Sequence, residues 1–184
     1  WRMNDNAADT TVVDDTGNGN DGVAAQNTED LQTAGKIDGA LTFNGTSDYV
    51  DIGDIIGTGA YTKAAWIKRA DAAAFNNIIS SDPKTHALFA PSGQSFRLCA
   101  GHNTNFRMVQ DTVPLDPDVW YHVAVTFDPN GGAGILTLYK DGVEVDIATN
   151  VPMQNPSTTN YIGRFDTGFY FNGSIDNAMV FNRP

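Results

Sequence analysis

Only one cysteine, Cys99, occurs in 184 residues, so no disulfide framework staples this chain and its fold rests on its own core. Lys and Arg together number 11 against 22 Asp and Glu, for a formal charge of −11 and a pI near 4.3. Phosphate backbones and anionic lipid surfaces are held by clustered cations, which excludes nucleic acid as a partner and disfavours an anionic membrane face. No apolar run approaches the roughly 20 residues of a bilayer-spanning helix, which speaks against membrane insertion. There are no heptads, exact repeats or low-complexity tracts, so coiled-coil and solenoid readings fall away. Nor does any stretch keep a helical period for three turns; the best candidates, residues 5–11 (DNAADTT) and 71–77 (DAAAFNN), are short. The chain opens at Trp1 without a signal-like segment and stops at Pro184 just after a strand-like run. That pattern reads as one domain, residues 1–184, excised from a longer polypeptide and linked to other domains.

What is present is alternation. In the first arm of residues 120–142, Tyr121, Val123, Val125 and Phe127 alternate with His122, Ala124 and Thr126; in the second, Ile135, Thr137 and Tyr139 alternate with Leu136, Leu138 and Lys140. A period of two is that of a half-buried strand. Asn130-Gly131 supplies the reversal, since glycine accepts positive φ. Asp141-Gly142 supplies a second turn, and VEVDIA continues as a third strand. Three antiparallel strands joined by tight turns make a meander, which predicts an all-β sandwich or barrel.

The flanking segments follow the same grammar. GALTFNGTSDYVDIG, residues 39–53, reads as two strands around Asn44-Gly45; residues 61–69 alternate, and residues 76–110 read as four short strands. Trp1 and Met3 suit a short terminal strand. Trp66 is either a sugar-stacking platform or core, with core the stronger reading for a lone strand tryptophan. Trp120 and Cys99 also read as core, and His122, flanked by apolar residues, as a hydrogen-bonded core histidine. The last run sets Ile175, Asn177, Met179 and Phe181 on one face and Asp176, Ala178 and Val180 on the other. An acid at Asp176 among strand hydrophobics requires a cation or strong donors.

Two stretches carry chemistry. Residues 12–22, VVDDTGNGNDG, interleave Asp14, Asp15, Asn18, Asn20 and Asp21 with three glycines. Oxygen ligands on a chain able to wrap are what calcium requires, although EF-hand spacing is missing; the competing reading is a solvated turn. The second stretch runs from Lys63 to Arg107, where Lys63, Lys68, Arg69, Lys84, Arg97 and Arg107 face only Asp71 and Asp82, with His86 and His102 in the same window. On one sheet face these would form a basic patch for carboxylate or sulfate groups; scattered, they would be ordinary solvated strand residues.

Taken in order, DDTGNGNDG, GALTFNGTSDYVDIG, AWIK, WYHVAVTFD, LYKDG, YIGRF and YFNGSIDNAMVFNR resemble the laminin-G-like jelly roll of the concanavalin A-like lectin and glucanase superfamily. The resemblance covers nearly the whole chain and implies a jelly-roll sandwich of two antiparallel sheets. It implies a structural Ca2+ tying the N-terminal loop to the last strand. Asp14, Asn18 and Asp176 match the family's motif, and Asn20 and Asn44 are looser ligands. It further implies a bacterial carbohydrate-binding module of the extracellular space, monomeric, with a polysaccharide or oligosaccharide as partner.

No sugar-binding motif is fixed in that family, so the ligand residues come from the basic window: Lys68, His86, Arg97, His102 and Arg107, with Phe106 or Tyr170 as a stacking platform and an acidic polysaccharide as the expected ligand. An adhesin or spacer module is the alternative. A glycoside hydrolase or lyase is the weaker reading, because a retaining glycosidase needs two carboxylates about 5 Å apart and Glu29 and Glu144 stand in no such run.

Overall fold

In the computed structural model, which describes all residues 1–184, the meander of residues 120–142 lies within the larger of two β layers. In chain order the strands are β1 (Thr11–Val12), β2 (Gly22–Ala24), β3 (Gln32–Ala34), β4 (Gly39–Asn44), β5 (Val50–Asp51) and β6 (Tyr61–Arg69). Then follow β7 (Ile79–Asp82), β8 (His86–Phe89), β9 (Arg97–His102), β10 (Asn105–Pro114), β11 (Tyr121–Asp128) and β12 (Gly134–Lys140). The chain closes with β13 (Val143–Val151), β14 (Thr159–Ile162), β15 (Arg164–Phe165), β16 (Phe169–Tyr170) and β17 (Asn172–Phe181). One four-residue helix, Thr28–Leu31, precedes β3. The two stretches expected to offer helix, residues 5–11 and 71–77, are irregular apart from the start of β1, and Trp1 and Met3 form no strand.

One layer is a seven-stranded sheet ordered β13-β12-β11-β6-β17-β4-β3, every pair antiparallel. The second joins a five-stranded sheet, β1-β2-β5-β14-β7, to a three-stranded sheet, β10-β9-β8, through the single bridge Asn77–Phe89. A short hairpin, β15-β16, joins neither ladder but is hydrogen-bonded to the second layer, where Asn76 N–H donates to Tyr170 O at 3.0 Å. The core is one cluster of 30 buried apolar residues between the layers. Val123, Val125 and Phe127 enter it from β11, as their alternation predicts, and face Leu136 and Leu138 of β12. Each such side chain contributes roughly 1.5–3 kcal/mol by leaving water. Phe43 of β4 meets Phe171 edge to face at 6.2 Å, which ties the last strand to the first long one.

Two places differ from what the sequence alone suggests, the first of them at the site. In β17 the pairing with β6 slips between Asp176 and Met179, and Asn177 sits at φ 47. This bulge puts Ile175, Asp176 and Ala178 all inside while Asn177 turns outward. Trp66 is the other departure. It lies on the outer face of β6, half-buried, with the His122 ring 5.3 Å away and Lys36 Nζ 5.0 Å above it. Trp66 and His122 are therefore not core residues; they cover each other on the surface.

Candidate functional site

The N-terminal loop between β1 and β2 is built around one carboxylate. Asp14 Oδ1 accepts hydrogen bonds from the Thr16 backbone N–H at 3.0 Å and the Thr16 hydroxyl at 2.7 Å, and Oδ2 accepts the Asn20 N–H at 3.1 Å. The Thr16 hydroxyl, then its backbone N–H, hold the Asp14 carboxyl below its ordinary pKa. Asp14 donates its own N–H to Asp21 at 2.7 Å, and Asn18 donates its side-chain amide to Thr16 at 2.8 Å. Each bond closes over a few residues, which is how Asp and Thr stabilise a turn without a regular ladder.

This loop meets the bulge of β17 across an open groove of about 600 Å³. Trp1 spans the two, its indole Nε1 donating to Asn20 O at 2.9 Å and its backbone N to Ala178 O at 3.0 Å. The wall carries Trp1, Asn18, Asn20, Asn177, Phe181 and Asn182. Asn177 spends its side-chain N–H on Asp176 Oδ1, which leaves its side-chain carbonyl without a protein donor, while the Asn20 and Asn182 side-chain amides are engaged with no protein group. Arg2 and Asp15, on the same wall, pair with each other at 3.2 Å. Indole and phenyl faces beside several side-chain amides let one surface stack on an apolar ring face and bond to hydroxyls around its edge.

The five residues expected around a calcium ion are not brought together. Asp14, Asn18 and Asn20 share the groove wall, but Asp176 does not line it. Its carboxylate lies under the turn before β4, where Oδ2 accepts the Ile37 N–H at 2.8 Å. Asn44 caps its own turn, with Oδ1 accepting from the N–H groups of Thr46, Ser47 and Asp48. No group of three or more His, Cys, Asp or Glu side chains converges anywhere. The donors around Asp14 and Asp176 are N–H and O–H groups, which take up part of the acceptor capacity of each carboxylate in two separate places. The expected single shell does not fit this arrangement.

The basic patch also dissolves on folding. His86 and His102 are fully buried between the layers and cannot touch a surface ligand, which corrects their assignment as binding residues. Lys63 and Arg69 are buried as well; Arg69 donates to Leu115 O and lies 3.8 Å from the centroid of Phe96. Lys84 pairs with Asp166 at 2.9 Å. Lys68 is on the opposite layer, over the Trp120 ring. Arg97 and Arg107 remain exposed on β9 and β10. Phe106 belongs to a small apolar pocket of about 150 Å³ with Phe75, Phe89, Phe165 and Phe169, its ring 5.0 Å from Phe165, and Tyr170 lies next to it in β16. Trp1, Asn177 and Phe181, all on the groove wall, were not among the expected ligand residues; only the Asp/Asn/Gly loop opposite them carried a signal in sequence.

Two facing antiparallel layers around one core, with a groove where the N-terminal loop meets the last strand, define a jelly-roll β-sandwich. The chain belongs to the Concanavalin A-like lectin/glucanases superfamily, matching its Laminin_G_3 family over residues 44–184. No curated protein matches it in sequence. Among solved structures it is similar to domain 4 of AbnA, a GH43 extracellular arabinanase from Geobacillus stearothermophilus, in complex with arabinotriose. There the identity is 19% and the TM-score 0.64, covering 81% of this chain and 73% of that one. It is also similar to a sialidase from Trypanosoma rangeli (15% identity, TM-score 0.66), covering 96% of this chain but 29% of the sialidase. A SAP-like pentraxin from Limulus polyphemus shows 17% identity and a TM-score of 0.58 over 77% of this chain and 75% of that one. At these identities the likeness is one of fold.

Proposed function

We propose that this chain is a non-catalytic carbohydrate-binding module that takes a neutral oligosaccharide, or a stretch of neutral polysaccharide, in the groove between the N-terminal loop and β17. The observation that carries this reading is the groove wall itself: Trp1 and Phe181 provide ring faces, while Asn18, Asn20, Asn177 and Asn182 provide amides, on a surface large enough for a few sugar residues. A neutral ligand follows from the electrostatics. The only cation on the wall, Arg2, is matched by Asp15, and the chain as a whole is strongly acidic. Catalysis finds no support there, because the one acid on the wall with a shifted ionisation, Asp14, is held in its charged form and has no proton to donate. Asp14 is held ionised by Thr16 and Asn20, and Asp15 is paired with Arg2. The likeness to an arabinanase domain in complex with arabinotriose supports the same reading. A monomeric module linked to other domains of an extracellular bacterial protein is the setting we propose for it. No helix of the chain is long and apolar enough to cross a membrane.

Affinity electrophoresis through gels carrying neutral polysaccharides (arabinan, xylan, galactan, mixed-linkage glucan) or acidic ones (pectate, alginate) tests this. Retardation on at least one neutral gel, with free migration on the acidic ones, is expected. Free migration on every gel would assign the chain to the adhesive or spacer role instead, and release of reducing sugar by the purified chain would overturn the non-catalytic reading.

A further inference from the structure

Between the two layers, the fold encloses a lysine and two histidines with no carboxylate facing them. Lys63, His86 and His102 have no exposed surface. Lys63 Nζ lies 2.6 Å from His86 Nδ1, and His86 Nε2 lies 2.8 Å from Asn160 Oδ1. Asn160 commits its Nδ2 as donor to Gly53 O at 2.8 Å, so its Oδ1 is the acceptor and His86 carries its proton on Nε2. Nδ1 is then a lone pair that accepts from the Lys63 amine. The same logic fixes His102: Nε2 donates to Pro152 O at 2.7 Å, and Nδ1 faces the Tyr61 hydroxyl at 3.4 Å.

The groups around Lys63 are known on every side. Tyr61 lies on the same strand, with its ring centroid 4.9 Å from Nζ; Val125 of β11 and Val180 of β17 pair with Lys63 on either flank. His86 comes from β8, His102 from β9 and Asn160 from β14. None of these is an acid. Lys63 and Tyr61 belong to the seven-stranded sheet, and the two histidines to the three-stranded one, whose only bridge to its own layer is Asn77–Phe89. These contacts are one of several polar ties between the β8–β10 segment and the rest of the sandwich, beside the Ser81 hydroxyl bonded to the Thr85 and His86 N–H groups, the Gln110 N–H donated to Asp146 and the Lys140–Asp111 pair; among them this is the one that runs through histidine side chains. The tie works only while His86 Nδ1 is unprotonated: an ammonium 2.6 Å from an imidazolium sets donor against donor in a site without a counter-ion.

We propose that Lys63, His86 and His102 form an acid-sensitive clasp, which holds the β8–β10 segment on the seven-stranded sheet at neutral and alkaline pH and releases it in mild acid. Burial pushes both imidazoles down from their ordinary pKa, that of His86 strongly, with the neighbouring Lys63 adding to the effect. A base whose pKa is lowered on folding contributes stability that is present above its unfolded pKa and lost as pH falls. For the two histidines that loss begins near pH 6.5. Each proton taken up by the open form shifts the closed-to-open ratio by about tenfold per pH unit, so two histidines give up to about a hundredfold.

Native-state hydrogen exchange on the whole chain at pH 7.5 and 5.5, corrected for intrinsic exchange, tests the clasp. Amides of β8, β9 and β10 are expected to open between about tenfold and a hundredfold more readily at the lower pH, with β11 and β12 much less affected. His86→Gln is expected to shallow that dependence. Equal loss of protection in both sheets, or no pH dependence, would overturn the proposal. So would imidazole nitrogen shifts of the unmodified protein showing His86 and His102 titrating at the ordinary midpoint, a measurement that requires no variant to fold.

Discussion

The carboxylate of Asp176 accepts the backbone N–H of Ile37 at 2.8 Å, a bond between residues 139 apart in the chain. It joins the last strand to the turn that launches β4, and it answers how an acid can sit among strand hydrophobics: the donors are backbone and amide groups, from Ile37, Lys36 and Asn177. Burial outweighs those donors and raises the Asp176 pKa. An acid with a raised folded-state pKa favours the folded form at low pH, and this contribution is lost as pH rises from 3.8 through the folded value. Asp176→Ala strands the buried N–H groups and is expected to cost about 3 kcal/mol. Asp176→Asn keeps an acceptor for Ile37, so it is expected to cost less and to flatten stability over the acid range above pH 3.8. Urea unfolding of both variants across that range checks this.

Metal removal is the next outcome. An ion bound at a hundred times its dissociation constant stabilises a fold by about 2.7 kcal/mol, a shift of several degrees in Tm. Because Asp14 already spends both oxygens on Thr16 and Asn20, the loop is expected to keep its shape without an ion. Thermal unfolding in excess calcium and in EDTA is expected to give the same Tm within about 1 °C, a difference far smaller than a bound ion would give. Asp14→Ala is expected to lower Tm in both buffers. A calcium-dependent rise of several degrees would restore a metal to the loop.

If the groove holds the sugar, its amides set the affinity. Asn20→Ala removes a side chain with no structural hydrogen bond of its own, so it is expected to weaken retention on the preferred neutral polysaccharide about tenfold, the worth of one well-made hydrogen bond to a ligand. Tm should not move. Arg97→Ala and Arg107→Ala lie outside the groove and are expected to change neither reading.

The meander was legible because half-buried strands print their two environments alternately. Val123, Val125 and Phe127 are buried, and the family motifs along the chain place the two layers correctly. Side chains that break the usual pairing of residue type with environment could not be read. Lysine is almost never fully buried, so Lys63 reads as surface, and with it His86 and His102; the basic window is a property of sequence proximity that folding disperses between two layers and the core. The bulge at Asn177 shifts β17 by one position, which no alternation rule anticipates, and it is this shift that turns Asn177 toward the groove. Trp66 was misread for the opposite reason. A single strand cannot show that its neighbour supplies His122 and Lys36 to cover the indole from outside.

At Gly173 the backbone of the last strand lies close against that of β6. Its φ is +136, and a Cβ there would lie 2.2 Å from the backbone oxygen of Lys68, an atom that cannot move aside without breaking the sheet. Gly173→Ala is therefore expected to cost roughly 3 kcal/mol or more, from backbone strain and overlap together. Denaturant unfolding that finds it within about 0.5 kcal/mol of the unmodified chain, the range of a neutral surface change, would contradict this close approach.

Tyr61 shapes the alkaline side of the stability profile together with Cys99 and Tyr161, whose pKa values burial also raises. It is fully buried between Lys63, His102 and Phe127, and burial raises its phenol far above the ordinary value. An acid raised on folding contributes stability that is complete below its unfolded pKa, near 10, and lost as pH climbs beyond it. Lys63 acts in the opposite sense: burial lowers its pKa, so its contribution is complete above about pH 10.4 and is lost as pH falls. The two contributions meet near pH 10, and together they push the stability maximum to the alkaline side of the usual range of about 5 to 8. Urea midpoints measured from pH 6 to 11 are expected to rise toward pH 9 to 10, the interval these two reference values bracket, and to fall beyond it. Tyr61→Phe removes the ionisable hydroxyl at the expense of one long contact to His102, so it is expected to make the fall above pH 10 shallower, with the buried Cys99 thiol and Tyr161 phenol carrying the remainder, while leaving the neutral midpoint nearly unchanged. A fall of unchanged steepness in Tyr61→Phe would assign the alkaline limb to Cys99 and Tyr161 alone.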